Sequence, residues 1–268
     1  MSANLNGKVL VFDSGMGGLT VAREVQALAP FIAVDYAADS GFFPYGEKSD
    51  AALRQRLPEV AKALCQVARP DVFVIACNTA STLALPEVRA ALDIPVIGTV
   101  PAIMPAAQLT RTGTIGLLAT PGTVRRAYTA ELIEDFASGV RVILHGSIAL
   151  VRMAEQVASG HPVPLESFRI AQAPLYQAEG GDEIDTVVLA CTHFPLIRGE
   201  LAATLPQAVN FVDSGEAIAR QTVRVLSEQK TSEKTGGNAW LTSPINAQAR
   251  LTEVCRRFGF ADVNQVAV

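Results

Sequence analysis

One seven-residue pattern occurs twice in this chain, and it constrains the fold more than any other feature. Asp71-Val72-Phe73-Val74-Ile75-Ala76-Cys77 and Asp185-Thr186-Val187-Val188-Leu189-Ala190-Cys191 share an aspartate, a β-rich apolar run and a cysteine, at an offset of 114 residues from Cys77 to Cys191. Short continuous apolar runs of this kind are strands buried on both faces, as in parallel sheets. After the first, Cys77-Asn78-Thr79-Ala80-Ser81-Thr82 puts small polar residues at the opening turn of a helix. A weaker echo relates Asp13-Ser14-Gly15 to Ala119-Thr120-Pro121-Gly122-Thr123. The spacing predicts two related lobes, each placing a cysteine beyond the carboxyl end of a parallel strand, where open α/β sheets bind ligands.

The rest of the chain fits that frame. Strand-like runs alternate with helix-periodic stretches, so the fold class is α/β, with two similar lobes, each a mainly parallel sheet flanked by helices and an active site expected in the cleft between them. Residues 1–98 form the first lobe, with strands at Lys8–Phe12, Ile32–Ala37, Val72–Ala76 and Val96–Gly98 and helices at Leu19–Leu28 and Asp50–Ala68. Residues 99–209 form the second, with strands at Thr114–Ala119, Val140–Leu144 and Thr186–Ala190. Its helices fall at Val124–Phe136, Ala149–Val157 and Leu165–Glu179, with Pro121-Gly122 read as a turn. Residues 210–268 return to the first lobe, through a strand at Asn210–Val212, a helix at Glu216–Glu228, a mobile polar loop at Gln229–Asn238 and a last helix at Ala247–Phe258. The connection Asp39-Ser40-Gly41-Phe42-Phe43-Pro44-Tyr45-Gly46 is unusually aromatic for a mere loop.

Composition removes several classes of function. The chain has 268 residues, 49% hydrophobic and 18% charged, with a net charge of -4. Its 22 basic residues are dispersed and form no stripe for tracking phosphates, which argues against a nucleic-acid partner. The longest apolar runs fall far short of the roughly 20 residues of a membrane span, and the opening residues lack the pattern of a secretory signal. A cytoplasmic location is expected. Four cysteines are then thiols, not a disulfide framework.

Each thiol reads differently. Cys65 and Cys255 lie inside amphipathic helices and read as small buried hydrophobes. Cys77 and Cys191 sit where unpaired backbone N–H groups and a helix dipole favour the thiolate. No metal site is expected, since Cys77, Cys191 and His193 lack a Cys-x-x-Cys pair and a fourth ligand. A papain-like nucleophile would leave the second matched cysteine without a role. Gly15-Met16-Gly17-Gly18-Leu19-Thr20 matches a dinucleotide fingerprint only loosely, and no lysine among the five is set for a pyridoxal Schiff base. Two thiols facing one carbon from opposite sides suit stereoinversion without a cofactor, one removing a proton and the other supplying one. Hydroxyls, amides and helix N-termini would stabilise the developing anion.

With these residues in place the chain resembles the glutamate racemases of the cofactor-independent aspartate/glutamate racemase superfamily. The resemblance runs from about Val9 to Arg220. It is carried by Phe12-Asp13-Ser14-Gly15-Met16-Gly17-Gly18-Leu19-Thr20-Val21, Pro44-Tyr45-Gly46, Ala76-Cys77-Asn78-Thr79-Ala80-Ser81, Cys191-Thr192-His193-Phe194-Pro195-Leu196 and Val212-Asp213-Ser214. It implies that Cys77 and Cys191 are the acid/base thiols, the first acting on D-glutamate and the second on L-glutamate. By the same resemblance Asp13 and His193 assist the respective thiols, and Asp39 and Glu155 are two further acidic positions. Ser14, Pro44, Tyr45, Gly46, Asn78, Thr79, Thr120, Thr123 and Thr192 match substrate-binding positions.

The implied activity is racemisation of glutamate, supplying D-glutamate for peptidoglycan. The resemblance leaves room for a homodimer and for activation by a cell-wall precursor. Rival readings are a superfamily relative acting on another small acid, and a racemase-like protein with a second, gyrase-inhibiting role. His193 argues against the aspartate racemases, which typically carry glutamate there.

Overall fold

The computed structural model describes residues 6–229, 235–244 and 249–268. The chain divides into two compact units, residues 1–99 with 215–268, and residues 100–214. Among the described residues no helix is long and apolar enough to cross a membrane.

The first unit is a six-stranded parallel sheet. Its strands are β1 (Lys8–Asp13), β2 (Ala33–Ala38), β3 (Val72–Ile75), β4 (Val96–Ile97), β9 (Asn238–Leu241) and β10 (Asp262–Gln265), in the order β10-β9-β2-β1-β3-β4. The helices are α1 (Leu19–Leu28), α2 (Asp50–Ala68), α3 (Asn78–Ala91), α10 (Gly215–Ser227) and α11 (Ala249–Arg257). Parallel neighbours need a crossover, and α1, α2 and α3 supply it between successive strands. With helices on the faces, β3 is buried at every residue and β1 at all but Lys8. Phe12 stacks on Phe73 with ring centroids 5.6 Å apart. The amphipathic α10 turns Ile218, Ala219, Thr222 and Leu226 inward and packs against α1.

The second unit is a four-stranded parallel sheet, β6-β5-β7-β8, from β5 (Thr114–Ala119), β6 (Arg141–Gly146), β7 (Thr186–Leu189) and β8 (Asn210–Val212). Its helices are α4 (Ile103–Leu109), α5 (Pro121–Arg125), α6 (Ala127–Phe136), α7 (Ile148–Ala158), α8 (Leu165–Gln177) and α9 (Arg198–Ala203). The strand order repeats that of the first unit, with β5, β6, β7 and β8 in the places of β1, β2, β3 and β4. The sequence echo is therefore a repeat of topology. The two aspartates that open it do the same work. The Asp71 carboxylate accepts the Lys8 N–H at 2.8 Å, and that of Asp185 accepts the Arg111 and Thr112 N–H groups at 2.7 and 3.1 Å.

Several expectations are corrected. Pro121-Gly122 is not a turn before one long helix but the first turn of α5. Thr120 caps it, its hydroxyl accepting the Thr123 N–H at 3.3 Å, with Pro121 at the first helical position, where its missing N–H costs nothing. Extended backbone at Arg126 then separates α5 from α6. Asn210–Val212 pairs with β7, so the chain leaves the second unit after Ser214 instead of before Asn210. The loop expected at Gln229–Asn238 ends earlier, because Asn238 opens β9; residues 230–234 of it, and 247–248 of the last expected helix, lie outside the described residues. Short elements without periodicity, α4, α9, β9 and β10, were not expected from the pattern.

Gly146 shows how tightly a strand exit is built. A Cβ there would lie 2.7 Å from Pro121 Cα and 2.8 Å from Pro121 N, backbone that cannot move without α5. Gly146→Ala should lower stability by about 1–3 kcal/mol in denaturant unfolding, as overpacking does. Gly199→Ala, where an added Cβ meets nothing within 4 Å, should leave it unchanged or raised. Equal effects would contradict this packing.

Candidate active site

In a 2-1-3-4 strand order the connections that follow β1 and β3 run in opposite directions, and the crevice beyond the carboxyl ends of those two strands is the place where such sheets bind ligands. The first unit puts Asp13 and Ser14 at the end of β1 and Cys77, Asn78 and Thr79 just beyond β3. The second puts Thr120 beyond β5 and Cys191, Thr192 and His193 beyond β7. Both thiols are thus at equivalent switch points, and each is buried, with 6% of its surface exposed.

In the first unit the backbone exits are held in line. The Asp39 N–H donates to Asp13 O at 2.9 Å and the Ala76 N–H to Phe12 O at 2.8 Å, which fixes where β2 and β3 end relative to β1. Asp13 is fully buried and accepts the Ser14 N–H at 2.6 Å. Gly18 is needed beside it, since a Cβ would come within 2.7 Å of Asp13 Cβ. Cys77 is the N-cap residue of α3, and Asn78 and Thr79 begin that helix, so their N–H groups face the positive end of its dipole. Asn78 Oδ1 is buried with no hydrogen-bond partner among the described residues, an acceptor in want of a donor.

Tyr45, between the half-buried Pro44 and Gly46, is itself buried, and its hydroxyl donates to Asp39 Oδ2 at 2.8 Å. Burial, then the charge and hydrogen bond of Asp39 and the charge of Cys77, hold the phenol well above its ordinary range against the opposing Arg56 cation, so it stays a donor. Asp39 is occupied fully by the protein itself. Its Oδ1 accepts from Arg56 Nη2 at 2.8 Å and Thr242 Oγ1 at 2.6 Å, and its Oδ2 from Arg56 Nε at 3.1 Å as well as Tyr45. Neither Arg56 nor Thr242 was singled out from sequence. Arg56 reads as one more polar residue on α2, and Thr242 is 203 residues from its partner, so no local spacing signals either.

The second unit contains a relay. Cys191 Sγ lies 3.8 Å from His193 Nδ1, and His193 Nε2 lies 2.7 Å from Glu155 Oε1 on α7. Burial alone disfavours an imidazolium; hydrogen bonds to Cys191 and Glu155 and their negative charges outweigh it, and the His193 pKa stands well above the ordinary histidine value. A doubly protonated ring donates at both nitrogens, one facing Cys191 Sγ and the other Glu155. Thr120 and Thr123, beyond β5, share a hydroxyl contact of 3.1 Å, and both are buried, as is Thr192. Cys65, by contrast, sits on α2 with its thiol pushed up to about 12 by burial, an inert state. Among the described residues no group of His, Cys, Asp and Glu is arranged to hold a metal ion.

Residues 19–222 match the Asp/Glu/Hydantoin racemase family. The chain belongs to that family. It is 45% identical to a glutamate racemase of Klebsiella pneumoniae (strain 342) over 260 residues, 96% of this chain and 91% of that one. Its structure superposes on that of Escherichia coli glutamate racemase, solved with L-glutamate and the activator UDP-MurNAc-ala, with a TM-score of 0.91 at 42% identity, covering 98% and 99% of the two chains. A glutamate racemase of Thermus thermophilus, solved with beta-chloro-D-alanine, gives a TM-score of 0.77 at 28% identity over 99% of each chain.

The relay fixes a pH dependence. Because the folded His193 pKa lies above the unfolded value of about 6.5, the stability it contributes is present in full below about pH 6.5 and is lost as pH rises through the folded pKa. Glu155→Gln should therefore be about 1.5–3 kcal/mol less stable than the parent near pH 6, with the gap closing at alkaline pH. A gap independent of pH in denaturant titrations would show that Glu155 does not hold an imidazolium.

Proposed function

We propose that this protein interconverts L- and D-glutamate by proton transfer at Cα between two thiols, without a cofactor. The observation that carries the reading is the duplication itself: two buried cysteines at equivalent switch points of equivalent sheets, one backed by the His193–Glu155 relay and the other in the unit that holds Asp13. Two matched bases suit a reaction whose two directions are mirror images.

In the L-to-D direction the Cys191 thiolate takes the α-proton and the Cys77 thiol gives one to the opposite face. The enzyme is left with Cys191 as thiol and Cys77 as thiolate, and exchange with water resets it. The α-proton of an amino acid is weakly acidic, so the developing negative charge needs fixed donors. Helix N–H groups at Asn78 and Thr79 and the hydroxyls of Ser14, Thr120, Thr123 and Thr192 are of the right kind, and Asn78 Oδ1 suits the ammonium group. His193 serves Cys191, and Asp13 serves Cys77. The D-glutamate so formed is a building block for peptidoglycan, made in the cytoplasm where that synthesis begins. The activator in the E. coli structure makes a UDP-linked muramyl precursor the effector to assay here, at 42% identity.

The test starts with purified protein and either enantiomer, followed by chiral separation with no cofactor added. In deuterium oxide the product should carry deuterium at Cα. Product that keeps the substrate's own proton would overturn the two-thiol scheme. The pairing of helper and thiol is read from isotope effects, because the enantiomers have equal free energy and kcat/KM must be the same in both directions for any variant. Asp13→Asn should raise the primary isotope effect mainly with α-deuterated D-glutamate, and His193→Asn mainly with α-deuterated L-glutamate. Equal changes in both would show the pairing to be wrong.

A further inference from the structure

The substrate-binding turn expected at Pro44–Gly46 leads into a single 3-10 turn at Tyr45–Glu47, with the Phe42, Glu47 and Lys48 N–H groups bonded to Asp39 O, Pro44 O and Tyr45 O, and side chains give it fixed points on other elements. The principal one is Asp39. Its carboxylate has four acceptor directions, and all four are taken, two by Arg56, one by Tyr45 and one by Thr242. A carboxylate so committed has no lone pair left for a substrate proton, but it makes an effective anchor.

Each partner comes from a different element. Arg56 reaches in from α2 with a two-pronged guanidinium, which fixes the plane of the carboxylate as well as its place. The same guanidinium lies over the Phe42 ring, 5.5 Å from its centroid. Thr242 arrives just past the end of β9, and its hydroxyl both donates to Asp39 and accepts the Gly41 N–H at 3.0 Å. Next to it the Ser243 hydroxyl lies 2.7 Å from that of Ser40. The residues just past β9 therefore grip the loop at three successive residues, Asp39, Ser40 and Gly41. The four-stranded sheet of the second unit has no strand in the position of β9. Tyr45 carries the constraint onward, from Asp39 at its hydroxyl to Phe12 and Phe42 at its ring, with centroids 6.5 and 6.3 Å away.

We propose that Arg56 and Thr242 are positioning residues for the reaction, acting through Asp39 to set Tyr45 and the Pro44–Gly46 turn beside Cys77. The C-terminal segment is on this view part of the catalytic apparatus and not only a cover for the sheet edge. The inference rests on the racemase reading above.

Kinetics of glutamate racemisation, measured well below the unfolding temperature of each variant, test it. Thr242→Val keeps the shape but removes the hydroxyl, and it should lower kcat/KM by about tenfold or more, as displaced positioning groups do. Thr242→Ser should recover activity to within about twofold, since it restores both hydrogen bonds. Tyr45→Phe should cause a comparable loss, and the double variant Thr242→Val/Tyr45→Phe should be no worse than the poorer single one, because both changes break the same linkage. Should Thr242→Val fail to fold, Arg56→Lys, which keeps the charge and loses the fork, carries the same expectation against Tyr45→Phe. Variants that match the parent in kcat/KM, losses that multiply in the double variant, or a loss that serine does not recover would each overturn the proposal while leaving the racemase reading intact. A parent protein that does not racemise glutamate would overturn both.

Discussion

A strand buried on both faces of a parallel sheet can neither turn back on itself nor expose its side chains, so whatever chemistry it supports must lie at its exit. That constraint governs both units. The pairing continues one residue past the strands, through Asp39 N to Asp13 O and Ala76 N to Phe12 O in the first unit, and through Ser147 N to Ala119 O and Ala190 N to Leu118 O in the second, at 2.8 to 2.9 Å. Each cysteine is the residue that follows. Its position is thereby set by backbone geometry before any side chain is considered, and a helix or 3-10 turn opens within three residues of it.

From this shared frame the two halves diverge in how they treat charge. In the second unit the thiol meets an imidazolium whose far nitrogen is held by the partly exposed Glu155, so the buried histidine charge has a carboxylate partner. In the first, the buried carboxylates are provided for separately. Asp13 takes the N–H of its own successor, and Asp39 takes a guanidinium, a phenol and a hydroxyl. One of those partners, Thr242, comes from outside the strand-helix repeat, just past β9, one of the two strands that the first unit has beyond the four of the second.

What could be read in the sequence follows the same division. Anything encoded by a contiguous run was legible: the two Asp-to-Cys strands, the polar helix opening after Cys77, and the nearness of His193 to Cys191. The Glu155–His193 contact spans 38 residues and the Arg56–Asp39 fork 17, and neither has a periodic signature; Glu155 was reached through family resemblance alone. β9 and β10 were missed because Asn238-Ala239-Trp240-Leu241 and Asp262-Val263-Asn264-Gln265 are short and partly polar, and become strands by pairing beyond β2. Pro121-Gly122 misled as a turn because the same dipeptide opens a helix when Thr120 caps it.

Racemisation constrains what a change in either unit can do. Substrate and product have equal free energy, so no change in either half can favour one direction in kcat/KM; it can only move the barrier from one proton transfer to the other. The overall rate is limited by the slower transfer. His193 beside Glu155 in one unit and Asp13 beside the N–H of its own successor in the other are different settings around equivalent strand exits. The strand exits, which decide where the thiols stand, are the part that both halves must keep.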